Sequence, residues 1–252
     1  MKNLSLLLLI GFLGTITANL CITKTLNFCQ YGFNQNLNVS STADWTNPGT
    51  LNFIVRSYYL QGIDGLLAVC NARQQFSQCL GDQYDACMSP LNFIASGESP
   101  SDAQSYVQLF KTMEFDCNGG FIQSSRNWPC IATILQVKDD KLNECRQQYN
   151  TDLQKSPSAL CQASADYETC VRRQFGTTCG SEVSWWACER TRRGLSIDSD
   201  CPSDTCSLVA SGAAMTSSGD FRDEKASKLV FDMHSDVIDV IHEISERQKR
   251  EQ

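Results

Sequence analysis

Residues 99–120 read Ser-Pro-Ser-Asp-Ala-Gln-Ser-Tyr-Val-Gln-Leu-Phe-Lys-Thr-Met-Glu-Phe-Asp-Cys-Asn-Gly-Gly. Ser99 is a helix cap, Pro100 fits the first turn, and Asp102 is an acid three residues on. Behind them Ala103, Tyr106, Val107, Phe110 and Met113 recur at spacings of three and four, the apolar stripe of a helix. Asn118-Gly119-Gly120 can end it. The same grammar predicts a helix starting at Ser156-Pro157, carrying Leu160, Cys161, Tyr167, Cys170 and Val171, and stopping at Gly176. Further helices are predicted over about 51–59 and about 66–80, the latter ahead of Gly81. Alternating period-2 patterns are scarce, so the expected fold is all-α, a disulfide-rich helical body with a C-terminal amphipathic helix.

Fourteen cysteines punctuate the 252-residue chain: Cys21, Cys29, Cys70, Cys79, Cys87, Cys117, Cys130, Cys145, Cys161, Cys170, Cys179, Cys188, Cys201 and Cys206. They follow a secretory-type leader over residues 1–18, with Lys2, an apolar run from Leu4 to Leu13, and a small residue, Ala18, at a plausible cleavage point. An even cysteine count behind such a leader predicts up to seven disulfides. Structural zinc is not expected, because the tightest spacing is Cys201-x4-Cys206 and no histidine lies between Cys21 and Cys206.

Helical geometry restricts the pairing. Cys70 and Cys79 are nine residues apart, as are Cys161 and Cys170. On an unbroken helix that is about 13.5 Å of rise, with the two side chains on opposite faces. A disulfide needs Cα atoms within about 7 Å. Each of these cysteines must therefore reach another element, and the body is expected to be one interlocked unit. A cut between Cys130 and Cys145 leaves an odd count on each side, so at least one bridge crosses it. Cuts just before Cys130 or just after Cys145 leave even counts and permit two lobes meeting near 130–145. Cys70-x8-Cys79-x7-Cys87 also echoes Cys161-x8-Cys170-x8-Cys179. A degenerate duplication would explain this; shared helix-turn spacing explains it more plainly.

After Cys206 the composition changes. Residues 207–219 are small and polar and read as a linker. Residues 220–252 read as an amphipathic tail helix. Ala226, Val230, Met233, Val237, Val240 and Ile244 form an a/d stripe, opposite acids at Asp232, Asp236, Asp239 and Glu243. The stripe is short for an autonomous coiled coil. It suits packing back on the body, self-association, or a partner groove.

Several strings look familiar as a set: Gly62-Ile63-Asp64-Gly65-Leu66, Phe76-Ser77-Gln78-Cys79-Leu80-Gly81, Phe115-Asp116-Cys117-Asn118-Gly119-Gly120-Phe121, Trp128-Pro129-Cys130 and Trp185-Trp186-Ala187-Cys188. With the leader and the cysteine spacing, they resemble the secreted cysteine-rich domains of unknown function expanded in nematodes, with chondroitin-proteoglycan-type relatives. The resemblance spans roughly residues 21–206 and rests on scaffold positions. It implies an extracellular, non-enzymatic role and brings no catalytic residues with it.

Composition narrows the chemistry. A net charge of −7 argues against nucleic acid as a partner. The two histidines, His234 and His242, both fall in the tail. No Ser-His or Cys-His site is therefore expected in the body. Asp64, Asp85, Asp102 and Glu114 are the acids a carboxylate-dependent hydrolase would draw on, but nothing in sequence pairs them. No catalytic residue, cofactor or metal is expected, and no membrane span after leader removal. Asn38-Val39-Ser40 is an N-glycosylation sequon. Ser218 and Ser96, each in a Ser-Gly-acid context, are candidate O-linked glycan sites, although turns account for both. Arg190-Thr191-Arg192-Arg193 and Arg247-Gln248-Lys249-Arg250 fit basic processing patterns, with solvated charge runs as the plainer reading. The sequence thus points to a secreted binding, matrix or coat protein with an extracellular protein or glycan partner. Its working surfaces would be the tail helix and, unless they belong to the core as the plainer reading has it, the aromatics at Trp185-Trp186. Two alternatives remain: a carrier of a small apolar ligand, and a carboxylate hydrolase.

Overall fold

A computed structural model describes residues 20–39 and 42–195 together with Cys201 and Cys206. The leader, Ser218, the tail stripe (Val230, Met233, Val237, Val240, Ile244) and both histidines lie outside these residues. The described chain is all-α, without a strand. In order it forms α1 (Thr23–Asn36), α2 (Pro48–Tyr59), α3 (Ile63–Leu80), α4 (Tyr84–Cys87), α5 (Pro90–Ala95), α6 (Pro100–Cys117), α7 (Phe121–Val137), α8 (Asp139–Lys155), α9 (Leu160–Cys179) and α10 (Ser181–Leu195). None of these helices is long and apolar enough to cross a membrane.

The decisive stretch behaves as its residues require. Ser99 caps α6, its Oγ accepting from the Asp102 N–H at 3.1 Å and donating to the Asp102 carboxylate at 2.7 Å. The α6 stripe is buried, and the helix ends at Cys117 with Asn118 as its cap. The helix expected over 51–59 begins earlier, at Pro48, where the Asn47 side chain accepts from the Thr50 N–H. The expected stop at Gly176 is wrong. α9 runs on to Cys179 and turns at Gly180, whose φ of +88° suits a residue without Cβ. Gly176 instead sits where α9 meets α10, and a Cβ there would lie 2.8 Å from Ser184 Oγ.

All fourteen cysteines pair: Cys21–Cys87, Cys29–Cys79, Cys70–Cys117, Cys130–Cys179, Cys145–Cys170, Cys161–Cys201 and Cys188–Cys206. As the helical spacing demands, neither Cys70 with Cys79 nor Cys161 with Cys170 closes on itself. The body is not one covalently interlocked unit, however. Three bridges close within residues 21–117 and four within 130–206, so no bridge crosses a cut just before Cys130. An unreduced proteolytic digest should accordingly yield disulfide-linked peptides from within 21–117 or within 130–206, and none joining the two sets. One linked peptide across Arg126 in the mass spectrum would refute this pairing.

The echo noted in the sequence extends to connectivity. In the first half, numbering six cysteines in order, the first pairs with the fifth, the second with the fourth and the third with the sixth. Cys130, Cys145, Cys161, Cys170, Cys179 and Cys201 repeat that order, with Cys188–Cys206 as an addition. Six cysteines allow about 15 pairings, and in both halves helical spacing excludes only those that join the third cysteine to the fourth. The match therefore favours a duplicated unit, each built round a hub helix, α3 and α9.

What joins the halves is the core. One continuous apolar cluster runs from Leu26, Phe33, Phe76 and Phe110 to Trp128, Phe175, Val183 and Trp186. At the seam Trp128 stands edge-on to Tyr59, with ring centres 5.1 Å apart, and donates its indole N–H to the Tyr59 carbonyl at 3.1 Å. Such a pair combines apolar burial with a satisfied polar tip.

Candidate functional site

The seam carries a buried ionic group. Asp116, fully buried at the end of α6, accepts from Arg190 Nε on α10 with both carboxylate oxygens, at 3.0 and 2.9 Å. The Tyr59 hydroxyl of α2 donates to the same carboxylate at 3.0 Å. Arg190 lies over the Trp186 ring at 5.6 Å. Burial pushes the Asp116 carboxyl above its usual range, while Arg190 and Tyr59 pull it back. Burial and the neighbouring carboxylate hold the Tyr59 hydroxyl protonated, well above the ordinary phenol range. With every polar atom of Asp116 engaged, this group is a clamp between halves.

Beside the clamp a cleft opens. One wall is α6, through Ser101, Gln104, Ser105, Gln108 and Lys111. The other is the α8–α9 hairpin, through Arg146, Tyr149, Leu153, Leu160 and Tyr167. Leu195, at the end of α10, and Met88 and Val107 complete its main compartment of about 640 Å³. Two smaller compartments, about 260 and 140 Å³, share Arg146 and Tyr167 with it and reach Arg190 of the clamp. Tyr149 and Tyr167 stack at 5.2 Å, fixing an aromatic wall. The main volume falls in the range of about 300–1,000 Å³ usual for small-molecule sites. The hairpin that forms its far wall is itself pinned by Cys145–Cys170.

The sequence candidates distribute differently. Trp186 is 1% exposed and belongs to the core, and Trp185 is half-buried against Phe115, so this pair is not an exposed binding surface. The basic run on α10 is ion-paired along its length, although Arg193 stays exposed. Arg190 binds Asp116, while Arg192 and Arg193 contact Glu189 at 2.7 and 3.6 Å, which ties this processing pattern into a helix. Asn38 is exposed, just past α1, with a φ of +48°. Ser96 is exposed at the end of α5 and donates to the Asn92 carbonyl. The hydrolase acids are spread over three helices. Asp64 and Asp85 lie on α3 and α4, and Glu114 is ion-paired with Arg73 at 3.3 Å. Asp102 is twelve residues from Glu114 along α6, about 18 Å of rise.

Sequence reasoning missed Arg146, Lys111 and Tyr167 as a group, because three separate helices bring them together. Glu168 is buried beside the Cys188–Cys206 bridge, its carboxylate 3.8 and 3.9 Å from the two sulfurs. With both sulfurs tied in a disulfide they are not thiolate ligands, and this cluster is a structural contact. Comparison with family models, with curated proteins and with solved structures finds no match.

Proposed function

We propose that the protein is an extracellular, non-enzymatic binding protein that carries a small, largely apolar ligand in the cleft between its two disulfide-closed halves. The observation that carries this reading is the main compartment of about 640 Å³, walled by Leu153, Leu160, Leu195, Val107 and the stacked tyrosines. Bridges fasten each wall within its own half, Cys70–Cys117 on α6 and Cys145–Cys170 on the α8–α9 hairpin, which lowers the ordering cost of binding. They also support the extracellular setting. The exposed sequon at Asn38 is compatible with a glycan there. A matrix or coat role would work through the tail helix, which lies outside the described residues.

The test is titration of the full secreted chain with Nile red, an uncharged probe whose emission rises in apolar sites. The expected result is saturable, one-site binding. Ser105→Trp places an indole in the cleft from an exposed position on α6 and should weaken binding about tenfold without altering the far-UV circular dichroism. Binding that is absent, or indifferent to this substitution, would end the reading.

A further inference from the structure

The charges of the cleft are uneven. The chain carries a net −7, yet the main compartment is lined by two cations, Lys111 and Arg146, and by no acid. Among the described residues neither of them has a hydrogen-bonding or ion-pairing partner. The other charges around the cleft are already matched. Arg56 pairs with Asp139 at 2.6 Å, Arg190 with Asp116, and Asp102 is the acid of the α6 cap. Arg146 also borders all three compartments, so it stands where they meet.

Resting on the cleft reading above, we propose that the ligand is an amphiphile with an anionic head. Its apolar chain lies along Leu153, Leu160 and the Tyr149–Tyr167 wall, and its head is held by the Arg146 guanidinium with Lys111 beside it. A guanidinium presents a planar fork that matches a carboxylate with two parallel hydrogen bonds, while an ammonium contributes a point charge. Leaving such an anion against Leu153 or Leu160 without these cations would be unfavourable. An uncharged ligand would leave both cations with only water. An acidic protein therefore presents a local positive site to an anion that its overall charge would repel.

The experiment compares dodecanoate, dodecanol and dodecyltrimethylammonium as competitors for Nile red on the full secreted chain at neutral pH. Dodecanoate should bind about ten- to a hundredfold tighter than dodecanol, the range of one charge-assisted hydrogen-bonding group. The trimethylammonium should bind weakest. Arg146→Gln, an exposed change on α8, should bring dodecanoate down to the level of dodecanol. Equal binding of acid and alcohol would overturn the anionic head and leave the cleft reading standing. No binding of any of the three, or of the dye, would overturn both. If the wild-type chain binds none and Val237→Asp in the tail restores binding, the cleft is occupied by the chain's own tail, and the proposal fails.

Discussion

Arg190→Met lowers the stability of the protein by about 3–5 kcal/mol, the cost of stranding one partner of a buried ion pair. For a chain of this size that is a drop in Tm of about 10 °C. The reason lies in the environment of Asp116. Its carboxylate is fully buried, and Arg190 is the cation that matches it. Without the guanidinium, the Tyr59 hydroxyl is its remaining donor. The pH dependence has a definite sign. Burial raises the folded-state pKa of Asp116 above its usual value. Such a group contributes stability that is present below its unfolded pKa and lost as pH rises through its folded pKa. Removing Arg190 takes away the principal lowering influence and widens that window upward. The Tm deficit of Arg190→Met should therefore be largest at neutral pH and shrink as the solution is acidified. Thermal melts at pH 7 and pH 4, with disulfides intact, check both points. Asp116→Leu combined with Arg190→Met should recover most of the loss, since an apolar replacement of a whole buried pair is often close to neutral. A single variant that melts with the wild type at pH 7 would mean the clamp does not hold the halves.

Local signals in the sequence carry information about local structure, and this chain shows where they stop. Ser99, Pro100 and Asp102 announce α6 because capping is decided within one turn. The nine-residue cysteine spacing forbids two bridges because helical rise is fixed, and both are absent. Gly176 misleads because a glycine that ends a helix and a glycine that admits a neighbouring helix look alike along the chain. Ser184, which explains it, is on another element. Asp116 and Arg190 read as one acid on a helix and one cation in a basic run, and their partnership spans 74 residues. The cleft is further from view. Lys111, Arg146 and Tyr167 come from α6, α8 and α9, and the polar composition of α8 reads as a solvated face until the hairpin is closed against α6.

Gly65→Ala should cost at least about 3 kcal/mol, more than the roughly 1–3 kcal/mol typical of overpacked sites. The substituted Cβ would lie 1.8 Å from the carbonyl oxygen of Tyr58 and 2.6 Å from its carbonyl carbon. Both are main-chain atoms, so no rotamer change relieves the contact, and the end of α2 has to move away from α3. That movement drags Tyr59, the next residue. Its hydroxyl binds Asp116 and its carbonyl accepts from Trp128, so a clash between two helices of the first half loosens the seam with the second. Alanine's better helix propensity returns only about 0.5–1 kcal/mol. Gly32→Ala is the matched control. It sits inside α1, where a new Cβ meets nothing within 4 Å, so the same substitution should raise stability by about 0.5–1 kcal/mol. Denaturant melts of the two variants should therefore move in opposite directions. If both shift alike, the close approach of α2 and α3 at Gly65 is not what positions Tyr59 over the ion pair.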